Sequence, residues 1–174
     1  MLAQLAQSGV RVPLSAVCEG FAQAQWPGRL EPAATVRRLW WDGAHNLDGV
    51  RRLVQAWRDE MKLDPPSAIV FAVALDKDAR AMLQRLRAFA PQARLLLTRT
   101  RSDRALPIEM LAVHAAALGT TAEVHESVEL ALAAVLDHGE SGRGQATGRV
   151  LLTGSLIAVG EAMERVGGGP GELQ

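Results

Sequence analysis

Apolar residues in this chain alternate between short continuous runs and longer stretches with a helical period. Val36 to Trp41, Ala68 to Leu75, Ala93 to Thr98, Ala122 to His125 and Arg149 to Thr153 are runs of the first kind. They read as strands, and such continuous apolar character suits strands covered on both faces. Between them, Asn46 to Lys62 sets Val50, Leu53, Val54 and Trp57 on one side of a helix. Asp64-Pro65-Pro66 forces a break after it, and Ala79 to Phe89 is again helical. Pro107 opens a further helix at the first-turn position that proline favours, and Gly119 ends it. Ser127 caps a helix to about Asp137, and Leu156 to Val166 is the last.

Five strands separated by helices imply right-handed crossovers and a mainly parallel sheet with helices on both faces. The expected fold is therefore α/β, a three-layer Rossmann-like sandwich. No Gly-x-Gly-x-x-Gly turn of a dinucleotide site is present. Upstream, Met1 to Gln7 reads as the end of a helix stopped by Ser8-Gly9. Ser15 is a plausible N-cap for a second helix through Gln25, with Val17, Phe21 and Ala24 on one side. Pro27-Gly28 then breaks the chain. Gly139 to Gly148 reads as a mobile surface loop, and the run from Gly167 to Gly171 as a disordered tail. The expected division is a helical remnant of a preceding domain over 1–25, a linker over 26–35, the main domain over 36–166 and a tail over 167–174.

At 174 residues the chain suits one such domain with a real core. Lys+Arg and Asp+Glu balance at 19 each, so no net field argues for nucleic acid or a membrane surface. Cys18 is the only cysteine, which rules out an internal disulfide, fits a reducing cytoplasm and reads as a small core residue. Gln4, Gln7, Ser8 and Arg11 interrupt the first apolar residues, so the N-terminus is a poor signal peptide. No apolar run approaches the ~20 residues of a membrane span. Trp26, Trp40, Trp41 and Trp57 read as core and edge packing. His114, His125 and His138 lack metal-ligand spacing.

Candidate chemistry gathers where strands end and helices begin, the place open α/β sheets put their ligands. Asp42-Gly43-Ala44-His45-Asn46 carries a carboxylate, an imidazole and an amide at the first such junction. Asp and Asn are ordinary turn and cap residues singly, but the run is far more polar than a plain connection needs. Trp26-Pro27-Gly28-Arg29-Leu30-Glu31 precedes it, with an arginine behind a Pro-Gly hinge. Asp76-Lys77-Asp78 follows the second strand, and Asp78 is placed to cap the next helix. Thr153-Gly154-Ser155 follows the last strand; its helix N-terminus is an anion seat that Ser155 equally well caps. Arg104-Ala105-Leu106-Pro107 precedes a helix and reads as mostly structural.

In this order, from about Leu14 to Val166, these motifs resemble the C-terminal domain of folylpolyglutamate and dihydrofolate synthases, the folate branch of the Mur ligase superfamily. Two departures are Leu47 where the family continues with proline, and one residue fewer between strand and Asp76-Lys77-Asp78. The resemblance implies ATP-dependent amide formation, in which a folate or pteroate carboxylate becomes an acyl phosphate attacked by L-glutamate. It implies that Arg29 and Asp42 face the nucleotide, and that His45 and Ser155 face glutamate. Asn46, Asp76, Lys77, Asp78 and Arg104 would be further cleft residues. No Gly-rich phosphate loop ending in Gly-Lys-Ser/Thr is present. ATP and Mg²⁺ would thus be bound mainly by upstream domains, a central ATPase domain among them, and this chain alone would be inactive. The C-terminal domain of another Mur-type peptide ligase, or a non-catalytic stand-alone binding module or gene remnant, remains open as an alternative.

Overall fold

The computed structural model describes residues 7–9, 12–24, 26–136 and 148–167. Residues 1–6 of the helix end expected over Met1 to Gln7, most of the glycine-rich loop (139–147), His138 and the tail from 168 lie outside the described residues.

Apolar strands fill the centre of the sheet because helices cover both of its faces. β1 (Glu31–Pro32), β2 (Leu39–Asp42), β3 (Ala68–Phe71), β4 (Arg94–Thr98), β5 (Glu123–His125) and β6 (Val150–Thr153) form one sheet in the order β1-β2-β6-β3-β4-β5. Every residue of β2, β3 and β6 is buried. All pairings are parallel except β1 with β2, where Glu31 lies opposite Trp41. β1 is a sixth strand beyond the five read from the sequence. Its two residues carry a proline and no alternation, so only the free edge of β2 makes them a strand, and an edge is where sheets tolerate proline.

The helices are α1 (Leu14–Gln23), α2 (Leu47–Gln55), α3 (Ala79–Phe89), α4 (Ile108–Ala117), α5 (Val128–Leu136) and α6 (Leu156–Val166). Strand alternation divides the core in two. Trp40, Ile69, Phe71, Leu95, Leu97 and Leu151 pack beneath α2, α3 and α4. Trp41, Val70, Leu96, Val150 and Leu152 pack beneath α5 and α6. α2 continues into a π-helical turn over Ala56–Glu60. Trp57 in that turn is fully buried, edge-on to Trp40 at 5.6 Å and to Phe89 at 6.1 Å. Its indole N–H donates to the Asp64 carbonyl at 2.9 Å, so the ring is buried without an orphaned donor.

Several boundaries differ from the sequence reading. β2 begins at Leu39 rather than Val36, because Leu39 N–H closes a turn onto the Val36 carbonyl. β3 ends at Phe71, and the chain beyond it meets a second loop through an Ala74–Ala105 bridge. Ser15 lies inside α1 and caps nothing; Pro13 holds the N-cap position. α1 buries no residue, with Leu14 and Phe21 more than three-quarters exposed. Cys18 on that helix is exposed, not a core residue, and Trp26 is 73% exposed rather than packed. For α1 and Cys18 the reason is shared: apolar spacing reveals an amphipathic face, and no residue of this helix is buried against another described element.

Candidate functional site

The carboxyl ends of β2, β6, β3 and β4 share one edge of the sheet, and the polar motifs collect there. Asp42, the last residue of β2, is buried. Its Oδ1 accepts the Ala44 N–H at 2.8 Å and its Oδ2 accepts the Leu30 N–H at 2.9 Å. Burial pushes this carboxyl above the usual aspartate range, while those N–H groups, then Arg29 and His45, pull it back. Asn46 ends the loop by capping α2, its Oδ1 accepting the Gly49 N–H at 2.7 Å. His45 stands exposed between them. Its Nδ1 lies 2.9 Å from the Gly43 carbonyl, which can only accept, so Nδ1 carries the proton and Nε2 is left for a ligand.

Parallel register places Thr153 beside Asp42 on one side and Phe71 on the other. The chain then turns through Gly154, at φ 102°, where a Cβ would lie 2.1 Å from the Ala72 carbonyl oxygen. Only glycine passes here. Ser155 follows and caps α6, its Oγ accepting the Ile157 N–H at 3.1 Å and the Ala158 N–H at 3.4 Å. Its hydroxyl proton is unused by the cap, so Ser155 can cap and donate at once.

The third motif is held by pairing of two loops. Leu75 N–H donates to the Arg104 carbonyl and Leu106 N–H to the Val73 carbonyl, each at 2.8 Å. This brings Arg104 beside Asp76: Arg104 Nη2 lies 3.1 Å from Asp76 Oδ1, and Lys77 Nζ lies 2.8 Å from Oδ2. The hydrogen bond from Lys77 is the main cause that holds the exposed Asp76 carboxyl below the usual range. One carboxylate thus tethers two cations at the sheet edge. Asp78 caps α3, its Oδ1 accepting the Ala81 N–H at 3.0 Å.

Four of the residues singled out from the sequence, His45, Lys77, Arg104 and Ser155, line one open cavity of about 310 Å³. Thr100 and Ser102 line it too and were missed. Both follow β4 at the carboxyl edge, and that position was their one available signal. Asp42, Asn46, Asp76 and Asp78 are not in the lining; they bond the backbone or the cations that are. Arg29 is exposed on the turn before β1. No hydrogen bond or ion pair holds its guanidinium among the described residues. Chemically, the cavity offers two cations, an imidazole and a serine hydroxyl at a helix N-terminus, a set suited to a small carboxylate-bearing ligand. Among the described residues no three His, Cys, Asp or Glu side chains converge as a metal site, and no helix is long and apolar enough to cross a membrane.

Residues 28–156 match the family described as Mur ligase, glutamate ligase domain, and the chain belongs to that family. It is 36% identical over 70 residues to folylpolyglutamate synthase of Lacticaseibacillus casei, covering 40% of this chain and 16% of that protein. It is 33% identical over 75 residues to dihydrofolate synthase/folylpolyglutamate synthase of Bacillus subtilis (strain 168), covering 43% and 17%. Among solved structures, it resembles Mycobacterium tuberculosis folylpolyglutamate synthase complexed with ADP and AMPPCP. That match has a TM-score of 0.73 and 27% identity, and covers 95% of this chain and 38% of that one. The chain thus corresponds to a minor part of each relative's length. Fold and family agree with the C-terminal domain that the motifs implied.

Proposed function

We propose that this chain is the glutamate-binding, nucleotide-contacting C-terminal domain of an ATP-dependent folate:L-glutamate ligase. The observation that carries the reading is the convergence of His45, Lys77, Arg104 and Ser155 on one cavity at the carboxyl edge of a Mur ligase sheet. Lys77 and Arg104 attract the glutamate carboxylates, and Ser155 donates its hydroxyl to one of them. His45 lines the same space, and its Nε2, not used by the Gly43 carbonyl, can accept from the glutamate amino group. Arg29, whose guanidinium makes no hydrogen bond or ion pair among the described residues, suits a nucleotide phosphate as a planar fork of donors. Asp42 stands behind it on the nucleotide side.

ATP, when bound, supplies the phosphoryl group that converts the folate or pteroate carboxylate into an acyl phosphate. The glutamate nitrogen then forms the amide bond, phosphate leaves and the amine gives up a proton. This chain's residues hold and orient glutamate and neutralise charge near the phosphates. Mg²⁺, the phosphate loop and most of the folate pocket belong, on this reading, to upstream domains, and the enzyme works in the cytoplasm.

The test is phosphate release by the complete ligase with ATP, L-glutamate and a panel of acceptors. Turnover with dihydropteroate or reduced folates supports the assignment. Turnover confined to nucleotide-linked muramoyl acceptors would replace it with a cell-wall ligase. Glutamate binding with no turnover on any acceptor would leave a binding module.

A further inference from the structure

We propose that Glu31 is a positioning residue for Arg29: its carboxylate closes the turn around the arginine and fastens that turn to the sheet. The inference rests on the reading of Arg29 as the phosphate-contacting arginine, and it names what holds that arginine in place.

One oxygen of Glu31 does both jobs. Oε1 accepts the Gly28 N–H at 2.7 Å, which closes the turn that contains Arg29. The same Oε1 accepts the indole N–H of Trp41 at 3.0 Å, and Trp41 is a buried residue of β2. Both neighbours of Arg29 are tied in addition. The Gly28 carbonyl accepts the Gly43 N–H at 2.8 Å, and the Leu30 N–H donates to Asp42 Oδ2 at 2.9 Å. The arginine thus sits between two residues bonded to β2 and its following loop.

Backbone conformation makes these bonds necessary. Gly28 has φ 80° and Leu30 has φ 41°, so both flanks of Arg29 lie in the left-handed region. For leucine that conformation is uphill by about 1 kcal/mol or more and persists only where the surroundings hold it. Gly28 also packs on α6, where an added Cβ would come within 3.2 Å of Val159 Cγ1. The guanidinium itself remains exposed, with no hydrogen bond or ion pair among the described residues and only a coulombic pull on Asp42. A main chain ordered on both sides of a free guanidinium has lost its backbone entropy at folding, before any phosphate binds. Arg29 therefore travels with this domain as a fixed reach, and any hinge between domains lies before Gly28.

Neutral and truncated variants separate the roles. A glutamine carbonyl can accept both N–H groups that Oε1 accepts, whereas alanine accepts neither. Amide hydrogen exchange on this chain should show Gly28 and Leu30 exchanging at least about tenfold faster in Glu31→Ala, with Glu31→Gln close to wild type. In the complete ligase, Glu31→Ala should lower kcat and leave the KM for glutamate unchanged, Glu31→Gln should restore kcat, and Arg29→Ala/Glu31→Ala should be no slower than Arg29→Ala alone. Exchange at Gly28 and Leu30 indifferent to Glu31→Ala overturns the clamp. Faster exchange with unchanged kcat overturns the positioning role. Unchanged turnover in Arg29→Ala overturns the reading of Arg29 and with it the role of Glu31, whatever the exchange data show.

Discussion

Leu30 donates its backbone N–H to Asp42 Oδ2 at 2.9 Å, joining the turn that carries Arg29 to the end of β2. The other Asp42 oxygen accepts the Ala44 N–H, so this one carboxylate ties together the turn and the loop that presents His45.

Replacing Asp42 by asparagine should therefore loosen both segments. The amide has one acceptor oxygen for two N–H donors, and its NH₂ group would face one of them. The expected loss is about 1–3 kcal/mol, read from the urea midpoint. A pH signature accompanies it. Burial raises the folded-state pKa of Asp42 above the ordinary 3.8, so folding is linked to proton uptake there. The contribution is fully present below the unfolded value and is lost as pH rises through the folded one. Wild type should thus lose stability relative to Asp42→Asn as pH rises through the acidic range above 3.8. A midpoint difference flat with pH would contradict this.

Gly154→Ala should be among the most damaging single changes at the sheet edge. Its φ of 102° is strained for alanine, and the new methyl would overlap the Ala72 carbonyl, backbone that cannot swing aside. A loss of at least about 2 kcal/mol is expected, with the thermal midpoint as the readout.

Trp57 provides a check on the core rather than the site. Trp57→Ala removes a fully buried ring that touches Trp40 and Phe89, and should cost about 3–5 kcal/mol. Trp57→Phe keeps much of that contact but leaves the Asp64 carbonyl without its donor, so about 1 kcal/mol of the loss should persist. Equal denaturant midpoints for the two variants would mean that the hydrogen bond, not the packing, dominates.

The proposed function separates two site residues kinetically. In the complete ligase, His45→Ala should raise the KM for glutamate by about ten- to a hundredfold and change the KM for ATP little. Arg29→Ala should chiefly depress kcat, by about 10²–10³-fold, if its guanidinium meets charge that develops during phosphoryl transfer. Steady-state kinetics on both substrates decides; two unchanged variants would remove both residues from the site.

How much of this was legible in the chain follows from the range of each interaction. α3 and α6 were read to the residue, because Asp78 and Ser155 cap helices through hydrogen bonds within three residues. The buried strands were legible as apolar runs, since a strand covered on both faces has no room for alternation. The site motifs were legible because strand ends and helix starts mark the carboxyl edge whatever the strand order. By contrast, β1 exists only because β2 offers Glu31 and Pro32 a free edge, and nothing local announces it.

By itself, the sequence determined the helices, the apolar strands, the parallel architecture and the family, all of which rest on local periodicity, short-range capping and motif order. Tertiary structure alone decided that Lys77 and Arg104, 27 positions apart, flank one carboxylate, and that Thr100 and Ser102 join them around the cavity. It decided too that Cys18 and Trp26 stay exposed, and that Asp42 spends both oxygens on backbone N–H groups. The cavity and its tethered cations depend on which loops the sheet brings together at its edge. That juxtaposition is set by strand order and register, which no local pattern encodes.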